Sequence, residues 1–116
     1  MVISIDEEPV NIQDREGQVL PVPGNNVKFD TANDAATAIS SRLLKGLRLE
    51  PDPSRKIHVK GIGGDMECSM VEISLHIRKH KFTVFAAVDA VAGETDLLIG
   101  NDIIDDLINN FDFTLG

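Results

Sequence analysis

Asp30 and Thr31 end a short run, Val27-Lys28-Phe29, and stand before the small and polar residues Ala32, Asn33 and Asp34. A strand that stops in this way delivers a carboxylate and a hydroxyl together to a turn. A carboxylate so placed can act as a base or an acid on a bound water. Read alone, such a residue is most often a turn residue, because Asp favours strand ends, so its surroundings must decide. The other reactive residues point elsewhere. His58, His76 and His80 fall in strand or turn positions with no Cys or carboxylate at metal-ligand spacing, so no metal site is expected. Cys68 has no evident base beside it and reads as a packed thiol rather than a nucleophile. Gly61-Ile62-Gly63-Gly64 is not followed by Lys-Ser/Thr, and the chain leaves it as a strand, which describes a hairpin turn and not a phosphate loop. Asp102, Asp105 and Asp106 read as the first turn and solvated face of a helix.

These residues need elements to hold them. Val2, Ile3 and Ile5 could start a strand, and Gln13 to Gly17 reads as a turn. Val19, Leu20 and Val22 are strand-like, with Pro21 restricting them to an edge. Pro23-Gly24-Asn25-Asn26 is a turn leading into the strand that carries Asp30. Ile39, Leu43, Leu44 and Leu47 recur at helical spacing, which predicts a short helix over 41–46, capped by Ser40 or Ser41 and stopped at Gly46. Residues 50–54, with Pro51 and Pro53, read as a loop. From Lys56 the period is two. Ile57 and Val59 lead to the Gly-rich turn, and Met66, Cys68 and Met70 follow in one parity. Val71, Ile73, Leu75 and Ile77 take the other parity, and Phe82, Val84, Ala86 and Val88 alternate beyond a polar turn at 78–81. Three strands joined by two turns predict an antiparallel meander, and the parity switch near residue 70 predicts a bulge or a change of surroundings. Residues 89–94 form a loop, and Leu97 to Ile99 a short strand ending on Gly100. Ile103, Ile104, Leu107 and Ile108 lie on one helix face, with Asn101 or Asp102 able to cap it. Phe111, Phe113 and Leu115 alternate in a last strand that has no obvious partner within the subunit.

The 116 residues make one domain, and a chain of this size gains from association. The net charge of −8 argues against nucleic acid and anionic membrane surfaces as partners. No apolar run reaches the roughly 18 residues of a membrane span, and no secretory leader is read at the start. With Cys68 as the single cysteine no intrachain disulfide can form, which fits an intracellular, reducing setting.

Three pieces occur in order: Phe29-Asp30-Thr31-Ala32-Asn33, Val59-Lys60-Gly61-Ile62-Gly63-Gly64, and Leu97-Leu98-Ile99-Gly100-Asn101-Asp102-Ile103-Ile104. Together they resemble the retroviral-type aspartic proteases, or retropepsins, and their retrotransposon and domesticated relatives. In that family a strand ends in Asp-Thr/Ser-Gly, a glycine-rich hairpin forms a flap, and an apolar-apolar-Gly triplet opens the only substantial helix. The resemblance covers residues 26–115. It implies an all-β, closed barrel with a flap hairpin and a short C-terminal helix, assembled as a two-fold homodimer. It further implies a peptide or polyprotein substrate, no cofactor, and a cytoplasmic or virus-like-particle location. Asp30 would meet its symmetry mate, and Thr31 and Ala32 would complete the catalytic turn. Asn33, Asp34, Gly61, Ile62, Gly63, Gly64 and Ile99 would contact substrate, and the last strand would join the dimer sheet.

The chain departs from the family pattern at three points. Ala32 stands where the family has glycine, and Asn33 where Ala or Ser is common. Asn101 stands where viral members often carry an Arg paired with an acid, which leaves Asp34 without that partner. Two further readings therefore stand beside the protease: a protease-like domain that dimerises or binds peptides without cleaving them, and an unrelated β-barrel binding protein.

Overall fold

The computed structural model describes residues 3–4, 9–30, 37–61, 64–91, 93–110 and 113–114. Strand β1 (Ile3–Ser4) is two residues long. In β2 (Val10–Gln13) Val10 and Ile12 face the core, a short pattern squeezed between Pro9 and a turn. Asp14 organises that turn: its Oδ1 accepts from the Glu16 and Gln18 amides, both at 2.9 Å, and Gly17 supplies φ +83°. Strand β3 (Val19–Pro21) lies at the sheet edge, where a residue without an N–H is tolerated. A 3-10 turn over Gly24–Asn26 then leads into β4 (Val27–Phe29).

After β5 (Ala38–Ile39) comes helix α1 (Ser41–Leu47), whose N-cap Ser40 accepts from the Leu43 amide at 3.1 Å through Oγ. The helix runs through Gly46 instead of stopping there. Leu47 is buried beside Leu44, so one more helical residue adds apolar burial, and the left-handed exit falls to Arg48 at φ 58°. Strand β6 (Asp52–Gly61) begins inside the stretch that reads as a loop. Asp52 pairs with Met70, while its Oδ1 accepts from both N and Oγ of Ser54, and the register shifts between Asp52 and Lys56. The turn signal belongs to this irregularity within the strand.

Strands β7 (Gly64–Ile77) and β8 (His80–Val88) complete the meander. The change of parity in β7 needs no bulge of its own. Its first half pairs with β6 from Gly64↔Gly61 to Ser69↔Lys56, and its second half pairs continuously with β8 from Met70↔Ala87 to Ile77↔His80. Cys68 therefore faces a small cluster with Ala38 and Ala87, while Val71, Ile73, Leu75 and Ile77 face the main core. Strand β9 (Leu97–Ile99), helix α2 (Asn101–Asn110) and β10 (Phe113–Thr114) follow. The last strand does have a partner within the chain: β10 pairs in parallel with β1, Ile3 opposite Phe113 and Ser4 opposite Thr114.

The main sheet runs β3-β2-β7-β8-β5-β9-β4, with β6 added on β7. The ladders are antiparallel except β4–β9 and β5–β8. The expected closed barrel is instead a curled half-barrel, because among the described residues no ladder joins its end strands β3 and β4. Ile103, Ile104 and Leu107 of α2 join the same core as Ile73, Leu75 and Ile77, whereas Ile108 sits at its margin with 38% of its surface exposed. Among the described residues no helix is long and apolar enough to cross a membrane.

Asp96, just before β9, ties three segments together. It is buried, and it accepts from Ser40 Oγ at 2.7 Å, from Arg42 Nε and Nη2 at 3.0 and 2.7 Å, and from Asn26 Nδ2 at 3.0 Å. Its own N–H donates to Asn26 O at 2.8 Å, and its carbonyl accepts from the Ser40 amide at 2.8 Å. Burial alone would raise its pKa. The hydrogen bonds from Ser40, Arg42 and Asn26 and the Arg42 charge outweigh burial and hold the carboxyl below the ordinary range. Asp96→Ala should lower stability by about 2 kcal/mol, the scale of hydrogen bonds to a charged group, measured as a lower urea midpoint at unchanged slope. A depressed folded-state pKa means that the contribution is complete above the unfolded value of about 3.9 and is lost as pH falls through the folded value. The gap between wild type and variant should thus be constant near neutrality and shrink in acid.

Candidate active site

Asp30 is placed by backbone. Strand β4 pairs with β9 in parallel, Val27 opposite Leu97 and Phe29 opposite Ile99, and the Asp30 amide extends the pairing by donating to Ile99 O at 2.9 Å. The half-buried Asp30 thus sits where β4 ends, level with the point at which β9 turns through Gly100 into α2. Gly100 O accepts from the Ile103 and Ile104 amides at 3.1 and 3.0 Å, so this carbonyl opens the helix.

Asp102 does not cap α2 and is more than a solvated residue of its first turn. Its carboxylate reaches Thr37, accepting from Thr37 Oγ1 at 2.8 Å through Oδ1 and from Thr37 N at 3.1 Å through Oδ2. Thr37 is fully buried. Its Oγ1 also accepts from the Gly100 amide at 3.2 Å, and its carbonyl accepts from Ala87 N at 2.8 Å. Every polar group of this buried threonine is satisfied, which makes it a fixed point in the fold. Nothing in the sequence marks Thr37 beyond a hydroxyl in a small apolar run. Its partner lies 65 residues away.

Of the residues expected at the site, Thr31, Ala32, Asn33, Asp34, Ile62 and Gly63 lie outside the described residues. Gly61 and Gly64 pair across the β6–β7 hairpin and close its ladder. The side chain of Ile99 is enclosed in the main core, so its carbonyl is what reaches Asp30. Strand alternation turns Leu98 the other way, where with Ile57, Val59, Ala90 and Val91 it packs on the small cluster of Ala38, Cys68 and Ala87. These partly buried apolar side chains form a second, thinner apolar layer, distinct from the main core and built from the hairpin strands, β9 and the loop after β8. Among the described residues no group of His, Cys, Asp and Glu could hold a metal ion.

The arrangement matches known structures. The protease of simian foamy virus (mac) superposes with a TM-score of 0.53 at 13% identity, covering 88% of this chain and 97% of that one. EIAV protease, solved with an inhibitor, gives 0.57 at 18% identity, covering 92% and 94%. A Legionella pneumophila protein of unknown function gives 0.50 at 12%, covering 99% and 91%. The fold is that of the retroviral proteases. At these identities the likeness is one of fold, and neither a family model nor a curated protein sequence matches the chain. In this retroviral-protease-like fold the carboxylate at the end of β4 and the glycine hairpin are both present, in the order that the motifs give.

Cys68 lies in the thin layer beneath the hairpin. Burial, with a smaller effect from the Asp89 charge, pushes its thiol above the ordinary range, which disfavours the reactive thiolate. An aromatic disulfide reagent at neutral pH should label native protein at least about tenfold more slowly than urea-unfolded protein, because reaction of a buried thiol needs local opening. Equal rates would show that the layer is open.

Proposed function

We propose that the chain is an aspartic endopeptidase that works as a homodimer, with Asp30 from each subunit forming the catalytic pair. The observation that carries this reading is the placement of Asp30 at the end of β4, bonded to Ile99 beside the glycine that opens α2, in a retroviral-protease fold. Two carboxylates brought face to face cannot both ionise and so share one proton, a coupling for which aspartic proteases are the standard example. The ionised Asp30 takes a proton from a water whose oxygen adds to the peptide carbonyl carbon. The protonated Asp30 gives its proton to the carbonyl oxygen. As the tetrahedral species collapses, the amide nitrogen takes the proton that the first Asp30 received from water, a hydroxyl proton returns to the second Asp30, the C–N bond breaks, and an acid and an amine leave. Thr31 braces the pair across the two-fold axis. The β6–β7 hairpin, with Ile62 and Gly63 at its tip, closes as a flap over an extended peptide and excludes water. Asn33, Asp34 and the glycines of the hairpin hold the peptide backbone, with a polyprotein of a retroelement type as substrate in an intracellular setting.

The dimer contact falls on the termini. A two-stranded sheet such as β1–β10, with two residues per strand, is marginal by itself, and adding the same pair from a second subunit would make four strands. Removal of residues 111–116 should give monomers by sedimentation and abolish cleavage, and a truncated chain that stays dimeric would contradict this contact.

Ala32 in place of glycine favours one alternative, a domain that dimerises or binds peptides without cutting. If the backbone at that position has positive φ, alanine there costs about 1 kcal/mol. Peptide cleavage at mildly acidic pH by wild type, Asp30→Asn and Ala32→Gly separates the readings. The protease reading expects cleavage by wild type and a loss of at least about a thousandfold in Asp30→Asn, the scale of removing a group that acts as a catalytic unit. Equal rates for these two would defeat the assignment of Asp30. An inert wild type with an active Ala32→Gly would favour the binding module.

A further inference from the structure

Asp30 and Thr37 are both fastened to residues 99–102. The Asp30 amide is held by Ile99 O at 2.9 Å. Thr37 is held by Asp102, through both N and Oγ1, and by the Gly100 amide. Residues 99–102 are the end of β9 and the first turn of α2, anchored below by Ile99, Ile103 and Ile104, all fully buried. The Ile99–Gly100 peptide thus holds the Asp30 amide on its oxygen and gives its own N–H to Thr37 Oγ1, so what fixes Thr37 also fixes the peptide that holds Asp30. An acid that must meet a partner within hydrogen-bonding distance needs that restriction, since a displacement of about 1 Å in a reacting group can cost about a hundredfold in rate.

We propose that Asp102, acting through Thr37, is a positioning residue for Asp30: it fixes Thr37 against the Gly100 amide, on the peptide whose carbonyl holds the Asp30 amide. The role of Asp30 as the reacting acid comes from the protease reading above. The clasp itself comes from the hydrogen bonds. The fold supplies its own control. Strand β5 is flanked by two hydroxyls, Thr37 and Ser40, and pairs antiparallel with β9, which is flanked by two carboxylates. Ser40 Oγ donates to Asp96 Oδ1 at 2.7 Å at one end, and Thr37 Oγ1 donates to Asp102 Oδ1 at 2.8 Å at the other. The chemistry is the same at both ends, but only the Thr37–Asp102 end adjoins Asp30. Asp96 instead faces the start of β4, through Asn26.

The experiment compares Thr37→Val, Thr37→Ser, Asp102→Asn and Ser40→Ala in the full chain, each first shown to be folded by circular dichroism and thermal melting. Two quantities are read: steady-state peptide cleavage, and titration of the Asp30 carboxyl by carbon-13 NMR. Thr37→Val keeps shape but removes the hydroxyl, and should lower kcat by at least about tenfold with KM nearly unchanged, the pattern for an interaction that serves the transition state. It should also move the Asp30 titration midpoint, and Thr37→Ser should restore both. Asp102→Asn presents one donor where two acceptors stood and should act in the same direction, which keeps the test open if Thr37→Val does not fold. Ser40→Ala should lower the melting temperature and leave kcat and the Asp30 midpoint as in wild type. Folded Thr37→Val or Asp102→Asn with wild-type kcat and midpoint would overturn the proposal, as would an equal loss in Ser40→Ala. If wild type does not cleave, the protease reading fails separately. The NMR midpoint then decides the clasp alone: a shift in the Thr37 and Asp102 variants but not in Ser40→Ala upholds it, and no shift rejects it.

Discussion

The geometry around Asp30 depends on β9, a strand of three residues with β4 in parallel on one side and β5 antiparallel on the other. Ladders this short contribute few hydrogen bonds, and the neighbouring strands are only two and three residues long. Two carboxylates fasten them, and of the two only Asp102, beyond the end of β9, adjoins Asp30. Asp96 gathers Ser40, Arg42 and Asn26 at its start, and Asp102 gathers Thr37 just beyond its end. In both cases a carboxylate takes the hydroxyl of a residue flanking β5, a charge-assisted bond stronger than one between neutral groups. Leu97 and Ile99 are fully buried between these polar fastenings, so apolar burial supplies the adhesion and the carboxylates supply the register.

That division explains what could be read from sequence. The meander was legible because each strand is long enough to show a period of two, and α2 because Ile103, Ile104 and Leu107 repeat at helical spacing. The strand that ends at Asp30 was legible because a short apolar run meets a turn-forming acid and small residues. By contrast β2 shows only two inward residues, Val10 and Ile12, too few to establish a period. Strand β5 is two residues inside a run of small side chains that also suits a helix. The β1–β10 pairing joins the two ends of the chain through two-residue strands, and no local pattern can announce a partner so far away. Asp96 and Asp102 find their hydroxyls 56 and 65 residues off, and in sequence each is one acid among many.

The likeness to the viral proteases at 13–18% identity is one of fold. Core residues can be exchanged for others of similar volume at small cost. The placement of Asp30 asks little of side chains: a backbone bond to β9, a turn into α2, and a hydroxyl that holds the Gly100 amide. A scaffold specified by so few contacts tolerates wide drift elsewhere.

It also separates scaffold from chemistry. Asp30 is not among the apolar residues that hold β9, β5 and α2 together. On the proposed reading a change at Asp30 acts on the reaction, whereas changes at Thr37 or Asp102 act on the fold as well.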